Sequence, residues 1–170
     1  TDDRTFIGSP IPDFIYAFNA GFEVAGFDFA IEFNGQSGNK IINAKKMARF
    51  GTYNFETSFL DRWTEEGSSN TEPKVTNGGH NYEVSDRFIE DGAFTRLRTL
   101  QLGYTLPRNL LDRFGLSKLR VYVIGNNLVT WADYSGYTPE ISSGSVISVG
   151  IDGGVYPIAK TYTVGLQVGF

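Results

Sequence analysis

Three observations predict an all-β fold of antiparallel strands, each with two unlike faces. Apolar and polar residues alternate with a period of two over five separate stretches. Aromatic residues make up 15% of the chain and glycines number 20, against a single methionine, a balance that favours strands and turns over helices. The connections between the five stretches are short, long, short and long in turn, as expected when neighbouring strands are antiparallel.

The first strand is "FIYAFNAGFEV". Phe14, Tyr16, Phe18, Ala20, Phe22 and Val24 share one face, and Ile15, Ala17, Asn19, Gly21 and Glu23 the other. The second is "GFDFAIEFNG", with Phe27, Phe29, Ile31 and Phe33 opposed by Asp28, Ala30, Glu32 and Asn34. Ala25-Gly26 between them reads as a tight hairpin turn. The third strand spans Phe94 to Leu106, with Leu100, Leu102, Tyr104 and Leu106 on one face and Thr99, Gln101, Gly103 and Thr105 on the other. The fourth spans Lys118 to Leu128, setting Leu119, Val121 and Val123 against Arg120, Tyr122 and Asn126, with Ile124 on the polar side. The fifth is "KTYTVGLQVGF", with Tyr162, Val164, Leu166, Val168 and Phe170 on the apolar face.

The third and fourth strands are joined by "PRNLLDRFGLS", which has room for one helical turn. Residues 36–93 and 129–159 form long connections rich in Gly, Ser, Asn and Asp. Long loops of this kind are usually functional. Because they fall on alternate connections, both lie at the same end of the sheet.

Composition excludes several function classes. A net charge of −4 gives no electrostatic basis for nucleic-acid binding, and no nucleic-acid partner is expected. With no cysteine there is neither a disulfide framework nor thiolate chemistry, and a single histidine, His80, rules out a multi-histidine metal site. No cofactor is expected. No apolar run is long enough for a transmembrane helix, and "TDDRTFIGSP" lacks the apolar core of a signal peptide.

Alternation alone also fits a soluble β-sandwich, such as a carbohydrate-binding module. Three features favour a membrane instead. The apolar faces are large and aromatic. The opposite faces carry Asn, Glu, Asp, Thr and Gly, which suit a water-filled lumen. The short turns and long loops are segregated to opposite ends, the asymmetry of outer-membrane barrels. A strand of about 11 residues, rising roughly 3.3 Å per residue and tilted about 45°, spans around 25 Å, the height of their apolar band. Five strands cannot close such a barrel, and open edges in lipid would leave backbone groups unpaired, so further strands are expected before Thr1.

The stretches "IGSPIPDFIYAFNAGFEVAGFDFAIEFNGQSGNKIIN", "LDRWTEE", "SDRFIEDGAFTRLRTLQLGYTLP", "LSKLRVYVIGNNLVTWADYSGYTPE" and "GIDGGVYPIAKTYTVGLQVGF" carry a resemblance. In this order, and over nearly the whole chain, they resemble the C-terminal barrel segment of SusC/RagA-type TonB-dependent outer-membrane transporters of Bacteroidetes-like bacteria. The resemblance implies that residues 1–170 are the last five strands of a 22-stranded barrel with a plugged lumen. It also implies a SusD-like surface lipoprotein, TonB engaged through an N-terminal part, a lipid surround in the outer membrane of a Gram-negative bacterium, and a glycan or peptide substrate. On this reading the chain supplies wall, closing strand and outer loops, is not an enzyme, and does not transport alone. The last strand closes the barrel, with Tyr162, Val164, Leu166, Val168 and Phe170 toward lipid. Its terminal aromatic is similar to the signal read by the assembly machinery, which makes the short turns periplasmic and residues 36–93 and 129–159 extracellular.

Trp63, Trp131, Tyr134 and Tyr137 are the candidate ligand-contacting loop aromatics, since aromatic faces suit the C–H faces of sugars; the competing role is loop packing or an interfacial aromatic girdle. Glu23, Asp28 and Glu32 read as a solvated lumen wall rather than a glycosidase pair. "DRFIEDG" clusters acids without EF-hand spacing. "GIDGG" and "NGGHN" lack the lysine of a phosphate loop, and "SGSVISVG" lacks the spacing of a nucleophile elbow.

Overall fold

The computed structural model describes residues 4–47, 57–76, 78–141, 145 and 147–170. "NGGHN" and "SGSVISVG" lie partly outside the described residues. Among the described residues, eight strands occur in chain order: β1 (Phe14–Val24), β2 (Phe27–Ser37), β3 (Lys40–Asn43), β4 (Ile89–Asp91), β5 (Phe94–Thr105), β6 (Lys118–Ala132), β7 (Ile151–Asp152) and β8 (Thr161–Gly169). Among the described residues, helices α1 (Ala44–Met47) and α2 (Arg108–Leu111) follow β3 and β5.

The five strands predicted from alternation form one antiparallel sheet in the order β1-β2-β5-β6-β8. The β1–β2 turn has φ of 49° at Ala25 and 85° at Gly26, the left-handed pair that matches the twist of a two-residue hairpin. Leu106 N–H donates to Leu119 O and Ser117 N–H to Gly169 O, so the second short connection and the chain end lie at the same end as the first turn.

Register keeps the two faces distinct across every strand. One row runs Phe22, Phe29, Leu102, Val123 and Val164; the next runs Val24, Phe27, Tyr104, Val121 and Leu166. On the other face run Glu23, Asp28, Gly103, Tyr122 and Gly165, then Asn19, Glu32, Thr99, Asn126 and Thr161. The pairing shifts at Glu32/Phe33 and again between Leu97 and Thr99, leaving Arg98 without a register partner. Beside it Asn127 turns left-handed, with φ of 53°. These bulges carry the alternation through a local twist.

The sheet has no apolar core of its own. Phe14, Phe18, Phe22, Leu102, Tyr162, Val164 and Leu166 are all more than half exposed. No second sheet covers this face among the described residues, as a sandwich would require. The buried apolar residues Ile41, Phe59, Phe88, Phe94, Leu111 and Tyr134 lie mostly at the outer end.

Two expectations need correction there. The long connections are not structureless: β3 and β4 of the first pair with β7 of the second in a three-stranded sheet ordered β4-β3-β7, with β3 and β7 parallel. Strand β6 also runs four residues past Leu128, to Ala132, because β5 continues to offer a partner up to Phe94.

Candidate functional site: lumen wall and outer loops

On the polar face, strands position charged groups side by side at the sheet spacing. Arg120 of β6 reaches over Gly103 of β5 to Asp28 of β2: its Nε donates to Oδ1 at 2.8 Å and its Nη2 to Oδ2. Gln101 Nε2 donates to the same carboxylate at 3.2 Å. A methyl group at Gly103 would lie 2.3 Å from Asp28 Oδ1, so glycine leaves the gap that the ion pair crosses. Higher up, Glu32 takes a hydrogen bond from Thr99 at 3.2 Å and an ion pair from Arg98 at 3.4 Å. Asp28 and Glu32 are each engaged by a cation, the arrangement of a polar wall rather than of an acid/base pair.

At the outer end the chain folds back over this face. Arg96, 4% exposed, donates to Thr130 Oγ1 at 2.9 Å and to Glu140 Oε2 at 2.6 Å. The two long loops are tied together by two carboxylates. Glu90 Oε1 accepts from Asn43 Nδ2 at 2.9 Å, Lys46 Nζ at 2.8 Å and Ser135 Oγ at 2.8 Å, while Oε2 accepts from Ser135 N–H at 2.8 Å. Burial pushes the Glu90 carboxyl up, but the Lys46, Ser135 and Asn43 donors together hold it below its ordinary value. Asp152, 1% exposed, accepts from Tyr134 Oη and from the N–H groups of Gly154 and Val155 at 2.7 and 2.8 Å, with Lys45 Nζ at 3.6 Å. Its burial raises the pKa, and Tyr134, the two amides and Lys45 more than offset that.

The candidate aromatics fall in four different settings. Trp131 sits near the end of β6, paired with Thr95 on the apolar face and stacked on Phe33 at 6.4 Å between ring centres. Phe14 and Tyr16, themselves stacked at 6.0 Å, lie at the same outer end, Tyr16 in the register row of Trp131. Tyr134 is 7% exposed, its hydroxyl held by Asp152. Tyr137 is exposed, with Lys45 Nζ 4.8 Å from its ring centre. Trp63 lines a recess in the first loop together with Glu72, Lys74 and Asn81. The sheet thus groups Trp131 with lipid-facing rings and Tyr134 with the loop sheet, and does not bring the four together. In "DRFIEDG", Glu90 turns to Lys46 and Asp91 to Lys40 at 3.1 Å, so these acids separate onto different cations. Sequence reasoning did not single out Asn43, Arg96 or Asp152. The signal for Asp152 was "GIDGG", an aspartate placed to cap a glycine turn.

An open antiparallel sheet with an exposed apolar face, a charged opposite face and loops gathered at one end is a section of an outer-membrane β-barrel wall. No protein-family model matches the chain. Its whole length aligns with TonB-dependent receptor P3 of Formosa agariphila at 32% identity over 177 residues, and with TonB-dependent receptor P26 of the same organism at 32% over 182. TonB-dependent receptor SusC of Bacteroides thetaiotaomicron is 26% identical over 173 residues. Among solved structures, the RagAB peptide transporter superposes on 97% of the chain with a TM-score of 0.80 and 26% identity. The RagAB peptide importer in the open-open state gives 0.78. The chain is therefore a relative of SusC/RagA-type TonB-dependent receptors and has the fold of their barrel wall. It spans 18% of the length of P3, P26 and the RagAB chain.

Proposed function

We propose that this chain is wall, closing strand and outer loops of an outer-membrane, TonB-driven importer of glycans or other nutrient oligomers in a Gram-negative bacterium. The observation that carries this reading is the sheet itself. Its apolar rows are left exposed at strand lengths that cross an outer membrane, and its opposite rows are lined with paired charges. The relatives' names support it, and no observation favours a soluble sandwich. The partners on this reading are the remaining barrel strands and plug, a SusD-like surface lipoprotein, TonB, and lipid. The role is transport and not catalysis. Tyr162, Val164, Leu166, Val168 and Phe170 act as the lipid-facing assembly strand. Trp63 and Tyr137 are the loop aromatics placed for ligand, Trp131 serves the membrane interface, and Tyr134 secures the loop sheet.

The test is fractionation and growth in the source bacterium. The full receptor containing this chain should sediment with outer membranes, and its deletion should abolish growth on at least one oligomeric nutrient while sparing growth on the monomer. Recovery of the receptor in the soluble fraction would overturn the reading.

A further inference from the structure

We propose that the Tyr122 hydroxyl reaches past the free edge of β8 and hydrogen bonds to the first strand of the same receptor's barrel, tying the wall shut from the lumen side. The inference rests on the importer reading, which makes β8 the closing strand, and adds the side chain that holds the seam. Within the sheet β8 pairs with β6 on one side only. An unpaired strand edge is costly in lipid. The chain spans 18% of the length of its relatives P3 and P26, so the strand that covers this edge belongs to the remaining length of the receptor.

The geometry repeats one that is complete elsewhere in the sheet. Tyr16 of β1 is in register with Gly35 of β2 and lies over it. Its hydroxyl is thereby delivered to the next strand, β5, where it donates to Phe94 O at 3.2 Å and hydrogen bonds with Thr95 Oγ1 at 2.6 Å. Thr95 is itself the register partner of Gly35. Tyr122 of β6 is in register with Gly165 of β8 and covers it in the same way: a Cβ at either glycine would overlap the Cζ and Oη atoms of its tyrosine. Neighbouring strands lie about 4.8 Å apart, less than the reach of a tyrosine side chain, so a ring that crosses a glycine presents its hydroxyl to the strand beyond. For Tyr16 that strand is β5. For Tyr122, on the polar face, it is the strand that pairs with the outer edge of β8. By the same register its partners there are a backbone carbonyl and a polar side chain opposite Gly165.

The ring is aimed by its neighbour. Arg120, two residues earlier on the same face, crosses the other way, over Gly103 to Asp28. Its guanidinium carbon lies 4.6 Å from the Tyr122 ring centre. The ion pair takes the β5 side and leaves the ring the β8 side. Phenylalanine would cover Gly165 equally well, so the hydroxyl is the part of Tyr122 that only a further strand can use.

Two measurements on the full-length receptor test this. Thr163→Cys, on the lumen face of β8, is combined in turn with single cysteines along the lumen face of the first barrel strand and oxidised in outer membranes. An intramolecular cross-link at one position is expected. Tyr122→Phe is then compared with wild type by amide exchange in detergent. Exchange over residues 161–169 should rise about threefold to tenfold, while β2 and β5 stay within about twofold of wild type. Tyr16→Phe should show the converse, with faster exchange in β1 and β5 and none added in β8. Cross-links only between two copies, or none, overturn the closing-strand reading and the proposal with it. An intramolecular cross-link with unchanged β8 exchange in Tyr122→Phe, or with a rise spread evenly over all strands, overturns the hydroxyl tie alone.

Discussion

Tyr16 of β1 lies across Gly35 of β2 and hydrogen bonds through its hydroxyl to Phe94 O at 3.2 Å and Thr95 Oγ1 at 2.6 Å on β5. One side chain thereby joins three strands on the lipid-side face. A Cβ at Gly35 would lie 2.4 Å from Phe94 O and 2.4 Å from the Tyr16 ring, so the ring fits only over glycine. Gly35→Ala is expected to destabilise the barrel by about 1–3 kcal/mol through overpacking. Tyr16→Phe, which loses only the hydroxyl contacts, should cost about 0.5–1.5 kcal/mol. Urea unfolding of the full receptor in detergent, followed by tryptophan fluorescence, measures both; equal stabilities for Gly35→Ala and wild type would rule out the close fit.

The two faces of β8 should respond oppositely to charge. Val164 is 73% exposed in the apolar row with Val123, whereas Thr163 pairs with Ile124 on the lumen face. Val164→Arg is expected to cost about 2–4 kcal/mol near the membrane midplane and to cut the yield of assembled receptor sharply. Thr163→Arg should stay within about 0.5 kcal/mol of wild type. The yields are compared as heat-modifiable bands in outer-membrane fractions.

Acid should loosen the loop sheet. The Glu90 and Asp152 pKa values lie below their ordinary values of 4.5 and 3.8, so it is the ionised forms that the fold favours. Their contribution is complete above those ordinary values and is lost as pH falls through the lowered folded values. Amide exchange at residues 40–43, 89–91 and 151–152 should therefore be flat from neutral pH down to about pH 5, once corrected for intrinsic rates, and should rise below about pH 4. Glu90→Gln should raise exchange at neutral pH and weaken the acid response.

Asp152 is the more deeply buried of the two ties. Removing it in Asp152→Ala leaves Tyr134 Oη, two backbone amides and Lys45 without their carboxylate. Each backbone amide left unpaired there costs about 1–3 kcal/mol. Limited proteolysis of intact cells should then cut within residues 133–155, while the membrane strands remain assembled. Resistance equal to wild type would mean that the parallel β3–β7 pairing holds without the aspartate.

Phe170, 94% exposed beyond β8, should matter for assembly rate more than for stability. Phe170→Ala is expected to slow the appearance of the folded form in a pulse-chase while leaving the urea midpoint of assembled receptor within about 0.5 kcal/mol of wild type.

The sequence by itself determined the five long strands, the Ala25-Gly26 turn, the two faces and the end at which the loops gather. Side-chain alternation is a local property, written wherever a strand is long enough to repeat it, and all five of these strands are. Only the tertiary structure decided the sheet of β4, β3 and β7. At two to four residues each, these strands are too short to show a period, and β3 pairs with β4 across about fifty positions and with β7 across more than a hundred. It also carried β6 on to Ala132, which moved Trp131 from loop to membrane edge, because that extension depends on β5 offering a partner rather than on the residues of β6. The outer site was legible only in part for the same reason. Trp63 stands out as an indole in a polar loop, but the hold of Glu90 on Lys46 and of Asp152 on Tyr134 exists only once two distant loops have met.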